Sequence, residues 1–396
     1  MLARDAQETS IDWVARARAL APDIEAAGDR NEAERRIVPD IIAKLHQAGL
    51  FHMLLPASFC GGAADLVDFN QVIETVAAAD ASTAWCLAQA VASTQAAGFL
   101  DQKVAHEIFG RPGHSVAWGP PSGAKALVVD GGYRVSGRWR FASGSEHCAW
   151  MGGHCAVIER DGKPRLDPQG RPVMRTMLFR KGEVTFHDTW HVIGLRATRS
   201  SDYEVRDLLV PDAYSTWRDS IPDRRDNGPL YNIQLLTLYG IGFSGVAVGL
   251  ARASLTAFMT LAATKKPSGG LGSNVLLRDN AVIQSGVAKA TGRLNGARSY
   301  LLEMLDEVWQ ASLSKGELTL DQRARLRVAM TGAMEEARRV VDFAYQAAGT
   351  NAIFVGGPFE RRFRDMHTVT AQGQAHLSNF EAAGQALFGT EPAQRL

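Results

Sequence analysis

Cysteine and net charge are both in short supply in this sequence. The chain has 396 residues and only four cysteines, Cys60, Cys86, Cys148 and Cys155. Four cysteines are too few to stabilise a fold of this length through disulfide bonds, so we expect reduced thiols in a cytoplasmic protein. Lysine and arginine total 43 against 42 aspartates and glutamates, which gives a formal charge of +1. Nucleic acids and anionic membranes attract proteins with a field of one sign, so this balance argues against both as partners.

Charged residues are missing altogether from residues 227–251, a stretch long enough to cross a bilayer. Its glycines and polar residues favour a helix that is surrounded by other helices. Gly240, Gly242 and Gly245 also follow the G-x-G-x-x-G order of dinucleotide-binding sites. Such a site needs an acidic residue about twenty positions later, whereas the next acid in the chain is Asp279. Close packing between helices therefore explains these glycines better.

Hydrophobic periodicity divides the chain into three zones. Apolar residues recur at three- and four-residue steps over residues 8–110, which predicts helices. Short β-type runs separated by turn signals follow to about residue 217, after which helical periodicity returns. The predicted fold class is mainly α with a central β domain. The predicted domains are an N-terminal α-helical domain over 1–111, a middle β domain over 112–218 and a C-terminal helical bundle over 219–396.

Turn and cap residues set the bounds of individual elements. Pro39 is placed to open a helix and Gly49 to end it, and Ser82 is placed to cap another. Strands are predicted at 126–129, 133–139, 155–158, 174–179 and 203–210. Helices with lengths suited to an antiparallel bundle are predicted at about 231–265, 276–313, 320–348 and 373–388.

Two His-Cys pairs, His147-Cys148 and His154-Cys155, provide the ligand types that zinc prefers. Structural zinc sites, however, usually place ligands a few residues apart along the chain. Neighbours on a strand also point to opposite faces of the sheet, so the two members of a pair cannot easily share one ion. We therefore expect no metal site.

Residues 139–150 form the most informative polar cluster. They place Ser143, Gly144 and Ser145 between flanking aromatic residues. Aromatic faces stack on a flat heteroaromatic ring, while serine hydroxyls or backbone N–H groups reach the polar edge of such a ring. The segment is also compatible with a turn between strands that carries core tryptophans, so the residues alone leave both interpretations open.

Several segments, in collinear order, resemble the acyl-CoA dehydrogenase superfamily. These segments are residues 41–51, 55–56, 61–62, 193–202, 209–211, 346–349 and 363–365. The resemblance implies the order of domains in that fold: an α-helical domain, a β-barrel or β-sandwich domain, and a four-helix bundle. It also implies a homotetramer that binds flavin between the β domain and the bundles of two subunits.

Two departures from that family bear on function. The motif at 193–202 usually carries glycines where Ala197 and Arg199 stand here. The dehydrogenases also carry a glutamate base in a stretch resembling Y-E-G-T, whereas no carboxylate occurs between Asp365 and Glu381. Abstraction of the α-proton of a thioester needs a positioned base. An FAD-dependent acyl-CoA dehydrogenase is therefore the alternative function, and a degenerate, non-catalytic flavin-fold protein is a third.

The chain is most similar to the two-component flavin-dependent monooxygenases that share this fold, at residues 82–85, 143–150 and 364–368. This resemblance implies that a separate NAD(P)H:flavin reductase supplies reduced FMN or FAD. The chain would then use oxygen to oxygenate a small aromatic or heterocyclic substrate. The implied catalytic residues are Ser143, His367 and Trp118, with Ser143 at the flavin N5 edge. The implied flavin-binding residues are Trp118, Ser143, Gly144, Ser145, Arg278, Gly349 and Thr350.

The proton path is the point at which this chain differs from the monooxygenases. Relatives often carry a second imidazole four or five residues after His367, where Ala371 and Gln372 stand here. A glutamine side chain donates hydrogen bonds but does not exchange a proton near neutral pH. Either His367 or His376 replaces that imidazole, or the proton takes a different path. In the alternative interpretation, His367 is a plain helix-surface residue.

Overall fold

The computed structural model describes residues 11–59, 61–111, 113–218, 220, 223–266 and 275–393. Cys60 and the predicted boundary positions 112 and 219 lie outside these residues. The first part of the chain is helical. Its helices are α1 (Trp13–Glu34), α2 (Pro39–Gln47), α3 (Leu66–Ala79), α4 (Ala81–Ser93) and α5 (Gln102–Phe109).

Local sequence signals explain where these helices begin and end. Pro39 opens α2 as predicted, and the chain leaves that helix through Gly49 with φ at 76°. The predicted cap at Ser82 is wrong, because Asp80 caps α4. The Asp80 carboxylate accepts a hydrogen bond from the Thr83 backbone N–H at 2.9 Å, as an N-cap does.

A single mixed sheet follows, with strand order β6-β7-β3-β2-β4-β5-β8 and β1 parallel to β4. The strands are β1 (Val116–Trp118), β2 (Lys125–Val129), β3 (Gly132–Trp139), β4 (Trp150–Ile158), β5 (Met174–Arg180), β6 (Thr185–His187), β7 (Asp202–Pro211) and β8 (Ser215–Thr216). Each predicted strand is present. Strand β4 begins at Trp150 rather than at residue 155, so the turn before it, and not a strand, carries His147 and Cys148.

The rest of the described chain is helical again, and its core lies between α6, α7 and α8. The helices are α6 (Leu235–Ala262), α7 (Ala281–Lys315), α8 (Leu320–Ala348), α9 (Glu360–Val369) and α10 (Ser378–Leu387). The predicted helix at 373–388 begins later than expected, at Ser378. Periodicity does not delimit the separate helix α9, since only Phe363, Met366 and Val369 among its ten residues are apolar.

Helix α6 contains the uncharged stretch. By length and composition it could cross a membrane, but 61% of its most apolar window is buried within the protein. It packs against α3, α4 and α8. A Cβ added at Gly249 would lie 2.3 Å from the Glu74 carbonyl oxygen of α3, and one at Gly245 would lie 2.8 Å from that of Asn70. The glycines therefore permit close helix packing, as the sequence indicated.

Candidate active site

The site is built around the turn that follows β3. Phe141 adopts a left-handed backbone conformation with φ at 62°, which is uncommon for an aromatic residue. Its side chain is 46% exposed, and the Arg140 guanidinium lies 4.9 Å from the ring centroid. Ser143, two residues later, is only 6% exposed. The turn thus presents an aromatic face to solvent beside an almost buried hydroxyl group.

The backbone N–H groups of this turn already have acceptors. Ala142 N bonds to Ser201 O, Gly144 N bonds to Thr198 O, and Ser145 N bonds to Ala142 O. Gly144 has φ at 78° and Ser145 is buried, so both residues shape the turn. Since the N–H groups of residues 142–145 are occupied, the Ser143 side chain is our candidate for the polar contact that the turn makes with a ligand.

A row of hydroxyl groups continues from Ser143 into the protein. Trp85 Nε1 on α4 donates to Ser143 Oγ at 3.0 Å. Ser143 Oγ lies 2.7 Å from Ser200 Oγ, which lies 2.7 Å from Thr198 Oγ1. Thr198 Oγ1 in turn donates to the Leu195 carbonyl oxygen at 2.9 Å. The segment with residues 195–200 thus reaches the site through side chains.

An aromatic wall lies beside this row, on α4, β1 and α6. The rings of Trp85 and Phe243 are parallel, with centroids 3.8 Å apart, and Tyr239 stacks on the far side of Phe243 at 5.9 Å. Trp118 Nε1 donates to the Tyr239 hydroxyl at 2.6 Å. Burial raises the pKa of Tyr239 to about 12, so the phenol stays neutral near pH 7.

Trp118, a predicted site residue, is almost fully buried behind this wall. The Arg218 guanidinium lies 4.9 Å from its ring centroid, and His154 approaches its ring edge-on at 5.4 Å. Burial lowers the pKa of His154 well below its usual value, with a further contribution from the Arg218 charge. Trp118 therefore positions Tyr239 from behind through its indole N–H.

The segment at 193–201 is fixed to α9. Leu195 N donates to Asp365 Oδ1 at 2.6 Å, and a Cβ added at Gly194 would lie 2.2 Å from the Arg364 carbonyl oxygen. Leu195 and Arg199 have left-handed φ values of 51° and 40°. Arg199 thus adopts the backbone conformation that a glycine would favour at this family position.

His367 and Gln372 belong to a second group of residues on α8, on α9 and in the turn after α9. His367 Nε2 lies 2.9 Å from Asp342 Oδ1, and Arg338 donates to the other carboxylate oxygen. Gln372 contacts Met334 Sδ at 3.6 Å and accepts a hydrogen bond from its neighbour Gln374 N. Within the described part of the chain, no hydrogen bond or ring contact joins His367 to Ser143 or Trp118.

The remaining predicted flavin contacts lie at one end of the helical bundle. Arg278 is exposed just before α7, and Gly349 and Thr350 are exposed just after α8. Lys265 connects the two segments, because its carbonyl oxygen accepts from Leu277 N and its Nζ donates to Ala348 O. Their buried neighbours Leu277 and Ala348 belong to a different hydrophobic cluster from Ala142 in the Ser143 turn.

Residues able to bind a metal do not converge in the described ranges. No group of three or more histidine, cysteine, aspartate or glutamate side chains there could hold an ion. His154 Nδ1 instead lies 2.9 Å from Thr176 Oγ1, and Cys148 Sγ lies 3.4 Å from Met151 Sδ.

Comparison with known proteins places the chain in a family. Two family models match it: acyl-CoA dehydrogenase, N-terminal domain, over residues 7–104, and acyl-CoA dehydrogenase, C-terminal domain, over residues 241–376. An indole-3-acetate monooxygenase of Acinetobacter baumannii is 30% identical over 357 residues, covering 89% of this chain and 88% of the relative. The chain belongs to the flavin-dependent monooxygenases of the acyl-CoA dehydrogenase family.

Two further comparisons agree with this membership. The oxygenase component of an FADH2-dependent resorcinol hydroxylase from a Rhizobium species is 27% identical, covering 96% of the chain and 94% of the relative. The crystal structure of a 3-HSA hydroxylase from a Rhodococcus species superposes with a TM-score of 0.87 at 23% identity, covering 98% and 99% of the two chains, and supports the fold. The chain is thus an oxidoreductase of the monooxygenase type, rather than a dehydrogenase or a non-catalytic relative.

The residues of this monooxygenase fit a flavin ring. Phe141 offers an exposed aromatic face, and Ser143 offers a neutral hydroxyl at its side, which suits a flat ring with a polar edge. Sequence reasoning had not selected Phe141, Tyr239 or Phe243 as site residues. The i, i+4 spacing of Tyr239 and Phe243 places them on one face of α6, but a helix that is apolar all round hides such a signal.

Proposed function

We propose that this monooxygenase is the oxygenase component of a two-component system. It would take reduced FMN or FAD from a separate NAD(P)H:flavin reductase and oxygenate a small aromatic or heterocyclic substrate. One atom of O₂ would enter the substrate, and the other would leave as water. Two relatives, an indole-3-acetate monooxygenase and the oxygenase component of a resorcinol hydroxylase, support this substrate class.

The observation that carries the proposal is the neutral aromatic wall beside Ser143. Trp85, Phe243 and Tyr239 form a stack of neutral rings, and Trp118 holds the Tyr239 hydroxyl from behind it, an arrangement suited to orienting a small aromatic molecule. A dehydrogenase would need a carboxylate base in this region. The nearest acid in the family motif, Asp365, is 3% exposed and accepts from Leu195 N, so it holds the backbone rather than facing a substrate.

Each group in the site has a distinct task in this proposal. A bound reduced flavin supplies the electrons that activate oxygen. Phe141 packs against the flavin ring, Ser143 bonds to its N5 edge, and the aromatic wall orients the substrate and excludes water. His367 exchanges the proton, and Asp342, 2.9 Å from its Nε2, orients the imidazole.

The assembly that we propose is a homotetramer in the cytoplasm. Ile353, Phe354 and Val355, which we call the end patch, are 61%, 65% and 91% exposed and directly follow the segment with Gly349 and Thr350. Consecutive exposed apolar residues of this size favour contact with another copy of the chain. Arg278, Gly349 and Thr350 would then reach the flavin of a neighbouring subunit. The three described cysteines are buried and unpaired, which suits a reducing compartment.

The test combines the purified protein with photoreduced FMN or FAD under anaerobic conditions, followed by ¹⁸O₂ and a panel of phenols and indoles. We expect an ¹⁸O-labelled hydroxylated product with at least one substrate. His367→Asn should slow product formation and alter its pH dependence, whereas the control His376→Asn should do neither. Absence of binding to either flavin, or bleaching of bound FAD by an acyl-CoA, would overturn the proposal.

A further inference from the structure

The hydroxyl row beside the site has two ends of fixed polarity. At one end the indole N–H of Trp85 can only donate, and it donates to Ser143 Oγ. At the other end the Leu195 carbonyl oxygen can only accept. It accepts from Thr198 Oγ1 at 2.9 Å and also from Trp190 Nε1 at 3.1 Å. These two fixed ends therefore restrict which hydroxyl group in the row donates and which accepts.

One proton order satisfies every contact in the row. Thr198 donates to Leu195 O, so its oxygen accepts the proton of Ser200, and Ser200 accepts the proton of Ser143. The Ser143 oxygen, which already accepts from Trp85, then keeps one lone pair for a ligand. In this order Ser143 presents an acceptor to the site and has no proton left to donate to it.

The reverse order loses one of these bonds. If Thr198 donated to Ser200 and Ser200 donated to Ser143, the Thr198 oxygen would face the Leu195 carbonyl oxygen at 2.9 Å with no proton between them. Water cannot easily repair that contact, because Thr198 is 1% exposed and Ser200 is 3% exposed. An unmade hydrogen bond between buried groups is costly, so the first order is preferred.

We infer that Thr198 and Ser200 are positioning residues that make the site select reduced over oxidised flavin. The N5 atom of a reduced flavin carries a hydrogen and donates, whereas N5 of an oxidised flavin only accepts. An acceptor at Ser143 therefore matches the reduced form and opposes the oxidised one. This inference rests on the proposed function, in which the N5 edge meets Ser143. Selection of this kind favours binding of reduced flavin before turnover and release of oxidised flavin after it.

The experiment measures the ratio of dissociation constants for oxidised and photoreduced FMN under anaerobic conditions, and then repeats it with FAD. Thr198→Val removes the terminal hydroxyl at nearly constant volume and frees Ser200 to donate to Ser143. We expect the oxidised-to-reduced ratio to fall on the order of tenfold, as for one hydrogen bond gained or lost in each state. Thr198→Ser, which keeps the hydroxyl, should retain the wild-type ratio.

The midpoint potential of the bound flavin provides an independent measurement. A tenfold fall in the ratio lowers this potential by about 30 mV for a two-electron couple. Ser143→Ala should also reduce the ratio, since it removes the group that discriminates. If flavin binds and Thr198→Val keeps the wild-type ratio and potential, the inference is wrong while the proposed function stands. If neither form binds the wild-type protein, the proposed function itself fails.

Discussion

Asp365 is the residue whose ionisation is most closely coupled to the architecture of the site. Its carboxylate receives Leu195 N at 2.6 Å and thereby anchors the segment that carries Thr198 and Ser200. Burial raises the pKa of Asp365 to about 7, and the nearby charges of Asp80 and Glu32 act in the same direction. The position of the hydroxyl row therefore depends on a carboxyl group whose burial disfavours its ionised form.

We predict that Asp365→Asn removes part of the pH dependence of stability. The unfolded carboxyl titrates near pH 4 and the folded one near pH 7, so the folded state holds the extra proton between these values. Wild-type stability therefore falls as pH rises through this window. Between pH 5 and pH 7.5, the free energy of unfolding of the wild type should fall by on the order of 2 kcal/mol relative to that of the variant, as measured by urea denaturation.

An exposed carboxylate provides the control for this measurement. Asp40→Asn, at a side chain 54% exposed on α2, removes one negative charge from the surface and so controls for the change in net charge. Parallel pH profiles of wild type and Asp365→Asn would show that Asp365 ionises normally in the folded protein. The asparagine side-chain oxygen still accepts from Leu195 N, so the substitution tests charge rather than the hydrogen bond.

The elements are held in place by close contact between α6 and α3. Gly249 lies against the Glu74 carbonyl, and the Glu74 side chain, 1% exposed, receives Arg298 at 2.8 Å and Arg252 at 2.7 Å. This contact joins α3, α6 and α7 at a charged centre. Because α6 also carries Tyr239 and Phe243, its position relative to α3 and α4 determines where the aromatic wall lies.

We predict opposite effects from two glycine-to-alanine substitutions. Gly249→Ala should destabilise the protein by about 1–3 kcal/mol, because its Cβ would lie 2.3 Å from a backbone oxygen and 2.8 Å from Ala77 Cβ. Gly292→Ala on α7 meets nothing within 4 Å and should stabilise it by up to about 1 kcal/mol through helix propensity. Thermal denaturation of both variants checks this, and equal midpoints would contradict close packing at Gly249.

At the scale of the whole molecule, the predicted flavin contacts fall into two separate groups. The Ser143 turn lies in the β domain, whereas Arg278, Gly349 and Thr350 lie at the end of the bundle beside the end patch. A flavin carries its ring and its phosphate at opposite ends. Two groups of residues on neighbouring subunits would serve these ends, so assembly and flavin binding should be coupled.

We predict that Val355→Asp breaks the proposed homotetramer, since it would place a charge in the proposed apolar contact between subunits. Light scattering after size-exclusion chromatography should report a smaller species, and flavin affinity should fall with it. Leu166→Asp, at a position 54% exposed in a β-domain loop, should change neither. If Val355→Asp stays a tetramer with wild-type flavin affinity, the end patch is not a contact between subunits.

The sequence predicts the order of elements well, because periodicity and turn residues act locally. The five strands appear where their β-type runs lie. The residues around Ser143 indicated either a ring-binding cluster or a turn, and the resemblance to the family proposed the first. The cap of α4 and the separate helix α9 were not identified, since Asp80 and Ser82 are both good capping residues and α9 has only three apolar residues. Phe141 was passed over because its exposure and left-handed backbone arise only from packing of the turn.

The amino-acid sequence by itself determined the family and the missing carboxylate after Asp365, and it proposed Ser143 as the serine that meets the flavin. Only the tertiary structure decided what that serine can do. Trp85 and Ser200 lie 58 and 57 residues away from Ser143 along the chain, and folding brings both to its hydroxyl. The direction of a hydrogen bond depends on the partners at both ends, and those partners are brought together by packing of helices, turn and loop.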